Sequence, residues 1–133
     1  MDPLAYFLDG YMQCALWSSN DPDKETPLDD VYGIEDIEPA LVAQMAHECA
    51  AFLEAQNESL ERLTVLTGRD MGSHGHDLWL TRNGHGAGYW DRYIEAEPDD
   101  RQEAQDLGAD LSKAAERLGE FYIAPNGDLV GVM

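Results

Sequence analysis

One stretch of 18 residues constrains the fold more than any other. It is GHDLWLTRNGHGAGYWDR, residues 75–92, and it holds two of the three tryptophans and four of the twelve glycines in the chain. Leu78 and Leu80 alternate there with Trp79 and Thr81, which is the period of a half-buried β-strand. The alternation therefore predicts a strand in this part of the chain.

The end of this strand is marked by the pair Asn83-Gly84, the strongest short-range signal for a β-hairpin. Two registers fit the sequence. A two-residue loop would set Leu78 opposite Tyr89, whereas a four-residue loop would set Trp79 opposite Trp90. We favour the four-residue loop, because it pairs two large aromatic side chains on one face of the hairpin.

Three segments outside this block predict α-helices, because apolar residues recur in them with the helical period. They lie near residues 3–18, 39–57 and 99–118. Residues 19–38 are rich in acids and prolines, and we expect them to form an irregular, solvated connection.

A second Asn-Gly pair, at residues 126–127, predicts another hairpin, with Ile123 opposite Val130. We therefore expect a single α+β domain over residues 1–133, with about three helices packed on a small antiparallel sheet built from two β-hairpins. The expected strands lie near residues 77–82, 88–92, 121–124 and 128–132.

The two cysteines and the N-terminal segment indicate a soluble chain that keeps its thiols reduced. Cys14 and Cys49 lie among apolar residues at helical spacing, so we expect buried thiols, with a disulfide or a shared metal as the alternatives. The N-terminal segment has no basic stretch before an apolar run, so we expect neither a secretory signal nor a membrane span.

Charge is the property in which this chain departs most from an average protein. Twenty-seven acids face eight lysines and arginines, and the formal net charge is −19. Such a chain repels nucleic acid and anionic membranes at long range, so we expect neither as a direct partner, and we expect a basic protein surface to be attracted. Adaptation to high salt and ordinary acidic solubility are the alternatives that need no partner.

Two acidic segments could together imitate the charge of duplex DNA. On the predicted third helix, four acids span roughly 16 Å, where DNA would carry about nine or ten charges, so one helix is not enough. If the 19–38 connection shared the same face, the local density would suit a DNA-binding groove. The predicted acidic face consists of Asp21, Asp23, Asp29, Asp30, Glu35, Asp36, Glu38, Asp99, Asp100, Glu103, Asp106 and Asp110.

The histidines offer a different hypothesis. The stretch HGHD at residues 74–77 is similar to the start of the H-x-H-x-D-H metal motif of metallo-β-lactamase-like hydrolases, but Leu78 and Trp79 stand where that motif has Asp and His. A metal could still be gathered if the hairpin brought several side chains together. Those side chains would be His74, His76, His85 and Asp91. Because the motif is incomplete, we predict neither a metal nor another cofactor and no catalytic residues.

The tip of the predicted hairpin carries Arg82, Asn83 and His85. We interpret these side chains first as a turn held by hydrogen bonds. Recognition of a partner is their second possible role.

Several segments resemble a family of small acidic bacteriophage proteins. They are CALWSS, LDDVYGIEDI, the block GHDLWLTRNGHGAGYWDR and the closing hairpin with its PNGD turn, and they extend over most of the chain. The resemblance implies a phage-encoded protein that acts in the cytoplasm of its bacterial host, and it carries over no catalytic residues. Small acidic phage proteins often act on host machinery, including defence systems.

Three functional hypotheses follow from these patterns. The first is a phage inhibitor of a host nucleic-acid-binding defence complex, of the anti-CRISPR or anti-restriction type, which acts by acidic DNA mimicry or by blocking a basic groove. The second is an acidic adaptor that binds a host or phage protein through its aromatic hairpin. The third is a small metal-dependent hydrolase that uses the hairpin histidines. We favour the first, which is not an enzyme.

Overall fold

The computed structural model describes residues 2–133, which form four α-helices and one two-stranded antiparallel sheet. The helices are α1 (Pro3–Ser18), α2 (Pro39–Thr67), α3 (Met71–Arg82) and α4 (Arg101–Glu116), and the strands are β1 (Ile123–Asn126) and β2 (Leu129–Val132). Short 3₁₀ segments cover Leu28–Asp30, Ile34–Asp36, Tyr89–Glu95 and Pro98–Asp100. The fold is mainly helical, so the predicted arrangement of about three helices on a sheet of two hairpins is wrong.

The ends of the first two helices follow local sequence signals. Asp2 caps α1, because its side chain accepts a hydrogen bond of 3.1 Å from the backbone N–H of Leu4. Helix α2 ends at Gly68, whose φ of +79° suits glycine and whose N–H donates to the Thr64 carbonyl. Between its first residue and Gly68 no glycine or proline interrupts it, so α2 continues ten residues beyond the predicted 39–57.

The block 75–92 does not form a hairpin. Its first half belongs to α3, which Asp70 caps through a 2.8 Å hydrogen bond from the Ser73 N–H, and its second half includes the 3₁₀ segment Tyr89–Glu95. The prediction failed because every residue from Asp77 to Asn83 is buried. A helix that is surrounded on all sides shows no helical period, so a chance alternation of residue types looked like a strand.

Helices α1 and α3 pack backbone against backbone. A methyl group at Gly75 would collide with the carbonyl of Phe7, and one at Gly10 would collide with the carbonyl of Gly72. This close approach brings the Trp79 ring edge-on to the ring of Tyr11, with 5.4 Å between the ring centroids. Gly75 of the block therefore serves packing between helices, whereas Gly84 and Gly86, with φ of +65° and +76°, lie in the turn that follows α3.

The C-terminal hairpin exists, but its register differs from the prediction. Ile123 lies opposite Val132, and Val130 lies opposite Pro125. The two-residue loop is Gly127-Asp128, and φ is +66° at Gly127. A type II′ turn requires glycine at this first loop position, so the glycine, rather than the asparagine before it, opens the turn.

Residues 19–38 form the expected connection, which contains 3₁₀ turns and irregular backbone. Leu28 and Ile37 anchor it, since both side chains are buried in the core. Ile37 forms a bridge with Val130, and the N–H of Glu38 donates to the Val130 carbonyl at 2.9 Å. The acids of this segment are therefore held next to α1 and β2.

No helix within residues 2–133 combines the length and the apolar character that crossing a membrane requires. Cys14 and Cys49 are both free and buried, as predicted. Burial is the main reason why the pKa of the Cys14 thiol rises to about 12.

Candidate functional site

The candidate metal ligands do not converge. Within residues 2–133 no group of three or more His, Cys, Asp or Glu side chains is placed to hold a metal ion. His74 is fully buried, with Nε2 2.7 Å from the Thr64 hydroxyl, whereas His85 is exposed in the turn after α3. Burial is the main cause that lowers the pKa of His74 to about 4, so this imidazole is neutral at physiological pH.

Asp77 occupies the centre of an interior ion-pair network. Its carboxylate is fully buried and receives two hydrogen bonds from Arg92, at 2.7 and 2.9 Å. Arg69 approaches the same carboxylate from the loop before α3, at 3.2 Å. Burial acts to raise the pKa of Asp77, but the interactions with His76, Arg92 and Arg69 outweigh it and leave that pKa lowered. Asp77 is thus ionised, and it connects α3 to two neighbouring segments.

Arg82 forms a second interior network at the end of α3. It donates to the carbonyls of Gly119 and Leu118, at 2.8 and 3.0 Å, and to the Tyr11 hydroxyl at 3.0 Å. It also pairs with Glu48 of α2 at 3.1 Å. Arg82 thus connects α3 with α1, α2 and the residues that follow α4. Only 5% of its surface is exposed, so its side chain is not available to a partner.

Asn83 is also directed inward. Its side chain donates to the Trp79 carbonyl at 3.1 Å and accepts a hydrogen bond of 2.7 Å from the N–H of Phe121. The predicted hairpin tip is therefore replaced by a helix end, and of its three candidate residues only His85 is exposed. The aromatic-hairpin hypothesis loses its structural basis, because Trp79 is buried within α3.

Most of the predicted acidic face is exposed. On and before α4, Asp99, Glu103, Asp106 and Asp110 face solvent, while Asp100 is half-buried. In the connection, four of the seven named acids are exposed and three are half-buried. The exposed ones are Asp23, Asp29, Asp30 and Glu35, and the half-buried ones are Asp21, Asp36 and Glu38.

Some of these acids already have partners within the chain. Glu103 forms an ion pair with Arg62 of α2, in which Nη2 and Oε1 are 2.8 Å apart. Asp36 accepts from the backbone N–H of Gly33, and Glu38 accepts from the Asn126 amide. The connection and α4 also pack on different elements. The connection packs on α1 and β2, whereas α4 packs on α2, α3 and the 3₁₀ segment Tyr89–Glu95.

The distribution of the basic residues makes the surface still more acidic. Arg69, Arg82 and Arg92 are largely buried, and they face the carboxylates of Asp77 and Glu48. This interior set holds three positive and two negative charges. The net charge of this interior set is +1. The rest of the chain, which includes the exposed surface, therefore has a formal charge of −20, compared with −19 for the whole protein.

A groove that the sequence-based prediction missed lies between α1 and α3. The groove contains two cavities, of about 380 and 440 Å³, and Asp70 and Gly72 line both of them. We call it the α1–α3 groove. On α1, Tyr6, Asp9 and Gln13 line it, and Trp17 lies at its end, where its ring packs against that of His76. A signal existed in the sequence, because these four residues recur with helical spacing on the side of α1 opposite its apolar stripe.

A comparison with protein-family models found no match, and comparisons with curated protein sequences and with solved structures found none either. Function is therefore inferred from the surface and its chemistry.

Proposed function

We propose that this protein is a phage-encoded inhibitor of a host nucleic-acid-binding defence complex, of the anti-CRISPR or anti-restriction type. It binds a basic groove of that complex in place of nucleic acid. The observation that carries the proposal is the separation of charge: three of the eight basic residues are used inside the fold, and the five exposed ones face 20 exposed acids. The phage and host context rests on the resemblance of the 75–92 block and its neighbouring segments.

The acids act collectively in this proposal. A single exposed ion pair contributes about 0–1 kcal/mol, so a useful affinity requires many of them at once. A surface of one sign also steers a basic partner during diffusion, and this effect weakens with ionic strength. Binding should therefore fall steeply between low and physiological salt, and DNA should compete with the protein for its target.

Affinity capture from host lysate at low and high salt provides the partner and tests the salt dependence together. The purified partner then allows a direct competition between the protein and duplex DNA. Binding that is unaffected by salt, or that DNA does not displace, would contradict occupation of a nucleic-acid groove.

Charge reversals locate the working face. Asp99, Asp106 and Asp110 are changed together to Lys, which is a good helix former, and Glu103 is kept because it pairs with Arg62. A second variant reverses Asp23, Asp29 and Asp30 of the connection. A control reverses Glu54, Glu58 and Glu120, so all three variants change the net charge equally.

The face that contacts the partner should lose much more affinity than the control, with circular dichroism confirming that each variant folds. A loss confined to the first variant assigns the face to α4, and a loss confined to the second assigns it to the connection. Equal affinities in all three variants would exclude both segments as the contact surface. Neutralising a single acid, as in Asp106→Asn, should change the affinity for the partner very little.

A further inference from the structure

The α1–α3 groove has the size and shape of a site for a short peptide segment. From Tyr6 to Trp17 its α1 wall extends over roughly 16 Å, at 1.5 Å per residue. Both aromatic side chains are largely exposed, 50% for Tyr6 and 56% for Trp17. Large exposed aromatic residues are enriched among the contacts that dominate protein–protein binding, and here one stands at each end of the groove.

The shape of the groove follows from the close packing of the two helices. At Gly10 and Gly72 the backbones approach so closely that a methyl group on Gly10 would meet the Gly72 carbonyl, and a methyl group on Gly75 would meet the Phe7 carbonyl. Both cavities adjoin this line of contact, since Gly72 lines both of them and Gly10 lines the second. Because the helix packing is fixed by backbone contact, the groove is preformed.

The first cavity combines apolar walls with carboxylates. Pro3, Tyr6 and Met71 line it together with Asp9 and Asp70. Asp70 caps α3, and the hydrogen bonds from Ser73 are the main cause that lowers its pKa, so it is ionised. An arginine side chain matches this lining, because its aliphatic stem packs on apolar walls while its guanidinium pairs with carboxylates. The Tyr6 ring adds an aromatic surface for a cation.

The second cavity is polar and continues the groove toward Trp17. Gln13, Ser73 and His76 line it, and the Trp17 ring packs against the His76 ring, tilted by 35°, with 5.7 Å between centroids. Arg69 also lines this cavity, but its guanidinium is paired with the carboxylates of Asp77 and Glu95. Amide and hydroxyl groups of this kind pair with the backbone of an extended peptide. Trp17 then provides an apolar contact at the far end.

We propose that the α1–α3 groove binds a short basic segment of the partner protein, with an arginine side chain in the cavity between Asp9 and Asp70. This inference rests on the proposed function and names the chemistry of the contact. Charge selects the occupant, because a second copy of a chain with a net charge of −19 would be repelled, as would nucleic acid. The preformed groove gives the partner a defined anchor, which the diffuse acidic surface alone does not supply.

The test needs no host protein. The ¹⁵N-labelled protein is titrated with acetyl-Ala-Ala-Arg-Ala-Ala-amide, with the same peptide carrying citrulline in place of arginine, and with the diamine putrescine. Citrulline has the shape of arginine without its charge. Amide shifts should concentrate on α1 and the start of α3, and the citrulline peptide should bind about tenfold more weakly, the loss expected for one charge-assisted hydrogen bond.

Matched variants make the assignment specific. Asp9→Asn combined with Asp70→Asn removes both charges from the cavity, and asparagine retains the helix cap at position 70. Asp99→Asn combined with Asp110→Asn changes the net charge equally outside the groove. The first pair should weaken the binding of the arginine peptide about tenfold, whereas the second pair should leave the affinity for this peptide nearly unchanged. If the double variant unfolds, Asp9→Asn alone should still weaken the binding of the arginine peptide.

Three outcomes would overturn the proposal. They are shifts spread evenly over the acidic surface, equal losses in the two variant pairs, and putrescine that saturates the groove more tightly than the peptide. The last would indicate a site for small cations. A groove that fails this titration leaves the salt and DNA-competition experiments on the intact partner as an independent test of the proposed function.

Discussion

Two Asn-Gly pairs in this chain have opposite structural roles. At Asn83-Gly84 the pair ends a buried helix, whereas at Asn126-Gly127 the asparagine ends strand β1 and the glycine opens the turn of a hairpin. Gly84 and Gly127 have nearly the same φ, +65° and +66°. The difference therefore does not come from the glycine. It comes from the segments on either side and from what each asparagine side chain binds.

The block before Gly84 is held by interior polar contacts, whereas the C-terminal hairpin is held by its strand pairing and a few anchored side chains. Asp77 and Asn83 each satisfy buried groups from distant parts of the chain. Asn126, in contrast, is exposed and contacts the Glu38 side chain at the surface. The comparison predicts that polar substitutions in the block destabilise the fold and that matched ones in the hairpin do not.

The largest effect is expected for Asp77→Ala. Removing this fully buried carboxylate leaves Arg69 and Arg92 without their shared partner, and breaking a buried ion pair typically costs about 3–5 kcal/mol of unfolding free energy. Asp128→Ala, in the hairpin loop, is the matched control and should change stability little. Urea denaturation of both variants measures the difference. Equal stabilities would show that the Asp77 network is not needed for the fold.

The second effect depends on pH and concerns His74. Its pKa in the folded protein is about 4, below the ordinary value of 6.5, so the unfolded chain binds the proton more readily between these values. Stability should therefore decrease as the pH falls from 6.5 toward 4, by about 3 kcal/mol at about 1.4 kcal/mol per pKa unit.

His74→Gln should remove most of this acid sensitivity. Other acids titrate in the same range, so the informative quantity is the difference between the pH profiles of the variant and the parent. Val130→Ala weakens the hairpin without a titrating group and should give a profile parallel to that of the parent. If His74→Gln also runs parallel to the parent, the buried imidazole does not cause the acid sensitivity.

The comparison also explains which parts of the fold the sequence could predict. The helices at 3–18 and 99–118 were placed within two residues, because each buries one face and exposes the other. Helix α3 was not recognised, since all of its second half is buried and the helical period is absent there. The hairpin at the C-terminus was recognised, but its register was not, because Asn126-Gly127 and Gly127-Asp128 are both acceptable loops in sequence terms.

The candidate site likewise has features that the sequence could predict and features that it could not. Exposure of the α4 acids could be predicted from the helical pattern, which places Asp106 and Asp110 opposite the buried Leu111 and Ala115. The burial of Arg82 could not be predicted, since a charged residue before Asn-Gly looks like part of a turn. The α1–α3 groove depends on a helix that was assigned as a strand, so Asp70 could not be placed beside Asp9 from the sequence.

The third prediction compares the two asparagines directly. Asn83→Ala leaves the buried N–H of Phe121 without its acceptor, and an unsatisfied buried group costs about 1–3 kcal/mol. Asn126→Ala removes an exposed contact and should change the unfolding free energy by less than about 0.5 kcal/mol. Thermal denaturation of the two variants side by side measures the contrast. A larger loss in Asn126→Ala would reverse the roles assigned to the two pairs.

The smallest difference between the two pairs is expected at their glycines, where the backbones are alike. Gly84→Ala and Gly127→Ala each force a side chain into the left-handed region of the backbone, at a cost of roughly 1–2 kcal/mol. A methyl group meets nothing within 4 Å at either position, so backbone strain is the whole penalty and the two losses should agree. Asparagine tolerates this conformation, so Gly84→Asn and Gly127→Asn should each recover part of the loss. Unfolding free energies that differ by more than the error of the measurement would mean that the setting of each glycine, helix end or hairpin loop, changes the strain itself.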